Sequence, residues 1–100
     1  MIVVNAVLET TAETIEALKP AIADMEHASR AEQGCVDYRF SVELNRPGVV
    51  RVTERWESLE ALQRHFRTPH MAQFQAALAE YPVGSATAWF YDAREIEIER

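Results

Sequence analysis

CVDYRFSVELNRPGVVRVTERW, residues 35–56, decides the fold. Its first half alternates, with Val36, Tyr38, Phe40 and Val42 set against Asp37, Arg39, Ser41 and Glu43. A period of two marks a strand whose two faces meet different surroundings. Asn45-Arg46-Pro47-Gly48 is a cluster of turn residues. VVRVTERW, residues 49–56, is again rich in β-branched residues and predicts a returning strand. The stretch therefore reads as an antiparallel hairpin spanning 35–56.

The flanks extend this reading in both directions. Upstream, IVVNAVL at 2–8 predicts a strand that is mostly apolar on both faces, as expected when both are covered. Thr10 and Glu13 fit a capping box, with Thr10 as the N-cap. Ile15, Leu18, Ile22 and Met25 then recur at helical spacing, and the helix is expected to end near Ala31 at Gln33-Gly34. Pro20 is expected to kink this helix or divide it. Downstream, Ser58 caps a helix carrying Leu59, Leu62 and Phe66. Thr68 and Pro69 open the next, with Met71, Phe74, Leu78 and Tyr81 along one side. Pro82-Val83-Gly84-Ser85 ends it, and residues 86–100 predict one long last strand.

The resulting order, βαββαβ, is that of the ferredoxin-like α+β fold. It implies a single domain over 1–100, with a four-stranded antiparallel sheet and helices on one face. The opposite face would be bare in a monomer although the first strand is apolar there. A bare apolar face is an interaction surface, so a homodimer packed sheet against sheet is expected. The 48% hydrophobic content is ample for so short a chain and agrees with that burial.

A formal net charge of −6 gives no electrostatic reason to bind nucleic acid or an anionic membrane. No apolar run approaches the roughly 20 residues of a membrane span, and the N-terminus lacks the pattern of a signal peptide. The lone Cys35 cannot form an internal disulfide. A cytoplasmic protein is expected.

Several side chains carry potential chemistry. His65 and His70 are five apart with Pro69 between them, not the four apart of a helical zinc pair, so no metal is expected. His65 fits either the rim of the core or a general base, since imidazole titrates near neutrality. His70 fits a hydrogen-bonded or exposed residue at a helix start. Asn5, an amide within an apolar strand, either bonds a neighbouring loop or meets a substrate oxygen. Trp56 is core, or a flat wall for an aromatic ligand. Tyr38, Phe40, Phe66, Phe74, Trp89 and Phe90 read first as core and second as pocket lining. Glu54 shares a face with Trp56 and is expected to pair with Arg39, Arg51 or a group across a dimer interface. Cys35 reads as a small buried residue, not a nucleophile. Three separated glycines provide no phosphate loop, so no nucleotide cofactor is expected.

EQGCVDYRF (32–40) and ERWESLEALQRHFRTPHMAQF (54–74) together resemble the antibiotic biosynthesis monooxygenase (ABM) domain. The resemblance implies dimeric α/β barrels that oxygenate phenolic or quinol substrates with O2 and no metal, flavin or other cofactor. It also covers haem-degrading relatives, whose axial histidine would fall at Gln75 and whose pocket tryptophan would fall at His65, which sets this chain apart from them. The resemblance carries catalytic roles to Asn5, Trp56 and His65, and substrate contacts to Tyr38 and His70. Phe66 and Phe74 would complete the aromatic lining. On this reading His65 or its water takes a phenolic proton, Asn5 binds the oxyanion, Trp56 holds the ring, and the anion reduces O2. The alternatives are a non-catalytic small-molecule-binding or stress-associated dimeric module, and an isomerase or degradative enzyme for a small metabolite. Arg39 or Arg51 in the pocket would favour an acidic or phosphorylated ligand.

Overall fold

The computed structural model describes residues 1–81 and 83–100. Strand β1 (Ile2–Glu9) leads into helix α1 (Ala12–Arg30). The hairpin follows as β2 (Cys35–Glu43) and β3 (Arg46–Trp56), then α2 (Leu59–His65), α3 (Pro69–Glu80) and β4 (Ser85–Asp92). The sheet order is β2-β3-β1-β4 with every pair antiparallel, the ferredoxin-like arrangement expected from the sequence. Among the described residues no helix is long and apolar enough to cross a membrane.

The register sorts side chains into two faces. Tyr38, Glu54, Val4 and Phe90 lie in one cross-strand row, and Phe40, Val52, Ala6 and Ala88 in the next. This inner face meets the helices and forms the main core with Met25, Trp56, Leu62 and Phe74. The outer face carries rows Arg39–Thr53–Asn5–Trp89, Ser41–Arg51–Val7–Thr87 and Asp37–Arg55–Val3–Tyr91. No helix covers it.

Local chemistry explains most element ends. Ser58 accepts from the Ala61 N–H and Thr68 from the Met71 N–H, with Pro69 opening α3 as predicted. Gly34 closes the turn after α1 at φ +89, where a Cβ would come within 2.7 Å of the Ala61 Cβ. The edge of β2 is partly blunted by α1: the Phe40 N–H donates to Glu26 Oε2 at 2.8 Å.

Four local expectations are corrected. The N-cap of α1 is Thr11, whose hydroxyl accepts from the Thr14 N–H, because Thr10 is engaged elsewhere. The Thr10 N–H donates to the Gly48 carbonyl, and the backbones approach so closely that a Cβ on Gly48 would lie 2.5 Å from the Thr10 oxygen. Pro20 does not divide α1, since it sits on the exposed side where the missing hydrogen bond faces water. The hairpin turn is only Leu44-Asn45, with Glu43 opposite Arg46. β4 stops at Asp92 because its partner β1 begins at Ile2, so residues 93–100 form no strand. The part of the predicted α3 stop that falls on Pro82 lies outside the described residues.

The aromatic residues split in a way that their spacing concealed. Trp56 and Tyr38 are core. Phe66, Trp89 and Phe90, also read first as core, are 46%, 47% and 54% exposed because α2 is short and β4 is an edge strand.

Candidate functional site

The inner face bears an open cavity of about 250 Å³ between the sheet, α1 and α3. Its walls include Met25, Tyr38, Phe40, Phe66, Phe74 and Phe90, and one carboxylate, Glu54. Such mostly apolar concavities with few polar groups are the usual form of small-ligand sites.

Glu54 was expected to pair with Arg39, Arg51 or a group across a dimer interface, and the register rules out the two arginines. Glu54 points inward opposite Tyr38, whereas Arg39 and Arg51 sit at outer-face positions. A side-chain period of two puts the sheet itself between them. The arginines pair instead with Asp37 and Glu43. Neither lines the cavity, which removes the cationic groups that an acidic or phosphorylated ligand would need there. The partner of Glu54 is the Trp56 indole, whose Nε1–H donates to Oε1 at 2.9 Å. The two-residue spacing foretold that the two side chains share a face. Burial pushes the Glu54 carboxyl up to about 7, the indole bond opposes the rise, and the nearby Glu32 adds to it.

Behind this wall lies a second polar cluster. Glu32, in the turn after α1, offers Oε2 to His65 Nδ1 at 2.6 Å and to His70 Nε2 at 2.8 Å. An ionised carboxylate only accepts, so each histidine presents an N–H to it. His65 is 1% exposed, and its Nε2 has no partner among the described residues. Burial lowers the affinity of His65 for a proton, with Glu32 opposing the effect. The ring packs tilted against its neighbours, its centroid 4.7 Å from that of Trp56 and 5.3 Å from that of Tyr38. The ligand atoms of Glu32, His65 and His70 lie within 4.8 Å of one another, a spacing that a divalent cation could also use. The spacing of the two histidines points to no third ligand near them in the chain. The structure supplies one from 33 and 38 residues away.

The predicted site residues therefore divide. Tyr38, Phe66 and Phe74 line the cavity. His70 lines a neighbouring hollow with Asp24, Met25, Gln73 and Phe74. Trp56 and His65 stand behind the wall, holding groups that do line the cavity or pack beside it. Asn5 is not brought to the cavity: it is exposed on the outer face between Thr53 and Trp89. Neighbouring Val4 and Ala6 take the inward positions, and strand alternation sends Asn5 the other way. Cys35 is half-buried, with its thiol pushed up to about 11 by burial, Glu32 and Glu54, which leaves it a poor nucleophile. Glu32 is the residue that sequence reasoning passed over, because nothing local to it signals contacts so distant along the chain.

Comparison with known proteins agrees with this architecture. The family model described as antibiotic biosynthesis monooxygenase matches residues 1–77. A candidate antibiotic biosynthesis monooxygenase from Deinococcus radiodurans superposes with TM-score 0.90 and 31% identity over all of both chains. One from Caulobacter crescentus gives 0.84 and 26%, covering 94% of this chain and 90% of its own. A conserved protein from Methanosarcina mazei, at 22% identity and TM-score 0.85, shares the fold over 93% and 92% of the two chains. Comparison with curated proteins gives no match.

Proposed function

Because this chain belongs to the antibiotic biosynthesis monooxygenase family, we propose that it is a cofactor-independent monooxygenase acting on an electron-rich phenol or quinol. The observation that carries this reading is the cavity: aromatic and aliphatic walls with, among the described residues, a single carboxylate and no lining cation. A planar, neutral, oxidisable ring fits those surroundings better than a charged metabolite does.

The chemistry balances without an added reductant. A phenol with hydrogen at the para carbon, or a quinol with hydrogen at the ortho carbon, loses its O–H proton, and the anion gives one electron to O2. The two radicals combine at carbon to a peroxide. Cleavage of its O–O bond leaves one oxygen as the quinone carbonyl and releases the other as water with the O–H and C–H hydrogens. All four electrons come from the substrate. The protein orients the ring, excludes water and stabilises the anion.

The same proposal includes a homodimer formed through the outer sheet face. That face lacks a helical cover, and its β1 and β4 rows expose Trp89 and Tyr91 beside Val3 and Val7. Its β2 and β3 rows carry the Asp37–Arg39 and Glu43–Arg51 pairs.

Oxygen uptake against hydroquinones and anthrones, corrected for autoxidation, tests the reading. Uptake should be protein-dependent and should fall sharply in Ala88→Trp, which fills the cavity from the exposed edge strand. Uptake unaffected by that variant would place the reaction elsewhere. No uptake across the panel would leave a ligand-binding module as the better description.

A further inference from the structure

We propose that Glu54 is the general base of the cavity, and that the cavity consequently takes neutral phenols and rejects anions. The inference rests on the proposed function for its substrate class and goes beyond it in naming the proton acceptor and the charge selectivity.

Among the described residues that line the cavity, two titrate, Glu54 and Tyr38. Burial and the adjacent Glu54 push the Tyr38 phenol up, so it remains protonated and can donate but not accept a proton. His65, the base suggested by resemblance, does not line the cavity, and its Nδ1 is committed to Glu32. Glu54 remains.

Its setting suits the role. Glu54 is 8% exposed and forms no ion pair among the described residues. Trp56 fixes one oxygen, and the other accepts no protein hydrogen bond among the described residues. The titratable groups around it are Tyr38 and Cys35 on β2 and Glu32 in the turn after α1, none of them cationic. A carboxylate held this way titrates near neutrality, where a general base is most effective. A phenolic O–H bond breaks, an O–H bond forms on Glu54 Oε2, and the negative charge passes to the ring oxygen. The cavity holds one negative charge before and after. An anionic ligand would bring a second charge next to the first, which is unfavourable in a low-dielectric site.

The test uses 2-naphthol, whose excited state is a strong photoacid, as the probe. Bound to the wild-type protein above neutral pH it should emit as the naphtholate, because Glu54 accepts the proton. Bound to Glu54→Gln it should emit as neutral naphthol. Affinity for 2-naphthoate should rise in Glu54→Gln by on the order of tenfold, about 1.4 kcal/mol. Equal emission from the two proteins, or no binding of naphthol, would overturn the proposal. Naphtholate emission without oxygen uptake on any quinol would instead remove the oxygenase reading and leave Glu54 as the base. Thermal unfolding of each protein confirms that both are folded during the comparison.

Discussion

The burial of Glu54 makes a quantitative demand on stability. Its carboxyl is raised from an ordinary value of 4.5 to about 7 in the folded protein. The folded state therefore holds a proton that the unfolded state releases between these two values. A raised value gives a contribution that is fully present below about 4.5 and is lost as pH rises through about 7. At about 1.36 kcal/mol per pKa unit, wild-type protein should lose roughly 2.5 kcal/mol between pH 5 and pH 8 from this group alone. Glu54→Gln keeps the shape and the acceptor for the Trp56 indole but cannot ionise. The cost of burying its amide is the same at both pH values, so the change with pH isolates the carboxylate. Denaturant unfolding at pH 5 and pH 8 should show the stability difference between variant and wild type shifting by roughly 2.5 kcal/mol in the variant's favour at the higher pH. A shift below about 0.5 kcal/mol would mean that Glu54 is solvated or paired, and the reasoning about the cavity would fail with it. Such a cost would fit a general pattern in which buried charge at a working site is tolerated at the expense of stability.

Other perturbations probe the neighbouring groups. Trp56→Phe removes the one donor to Glu54, and a hydrogen bond to a charged acceptor contributes about 1.5–3 kcal/mol. The acid limb of the pH–rate profile should move upward by about one to two pH units in that variant. Glu32→Gln weakens the bonds to both histidines, and unfolding should show a loss of about 1–3 kcal/mol, with His65 titrating lower still by NMR. Trp89→Lys on the outer face should convert a dimer to monomers in sedimentation while leaving the fold intact by circular dichroism. Arg51→Ala, on that same face, should leave quinol KM within about twofold of wild type, less than a hydrogen bond's worth of binding.

The fold was legible because its signals are local and repeated. Alternation in β2, the helical stripe of α1 and the Thr68-Pro69 start of α3 each follow from a few neighbouring residues. The boundaries that slipped did so where a distant segment competes. Thr10 caps no helix because Gly48 claims it, and β4 ends where β1 has no residue left to pair. The candidate site was less legible for the same reason. Alternation showed that Glu54 and Trp56 share a face, yet only the pairing with β1 and β2 reveals that this face is inward and that the arginines are not on it. Asn5 looked significant because a polar residue interrupts an apolar run, but the outer face of this strand is exposed. Glu32 meets His65 and His70 across most of the fold, a contact that no spacing rule encodes.

The central claim is that O2 is incorporated into a phenol bound in the inner cavity, and isotope labelling reads that most directly. Turnover of an anthrone under ¹⁸O₂, followed by mass spectrometry of the product, should show one labelled oxygen atom per quinone formed, with the label lost in Ala88→Trp. Oxygen consumption that yields hydrogen peroxide and an unlabelled product would contradict the account.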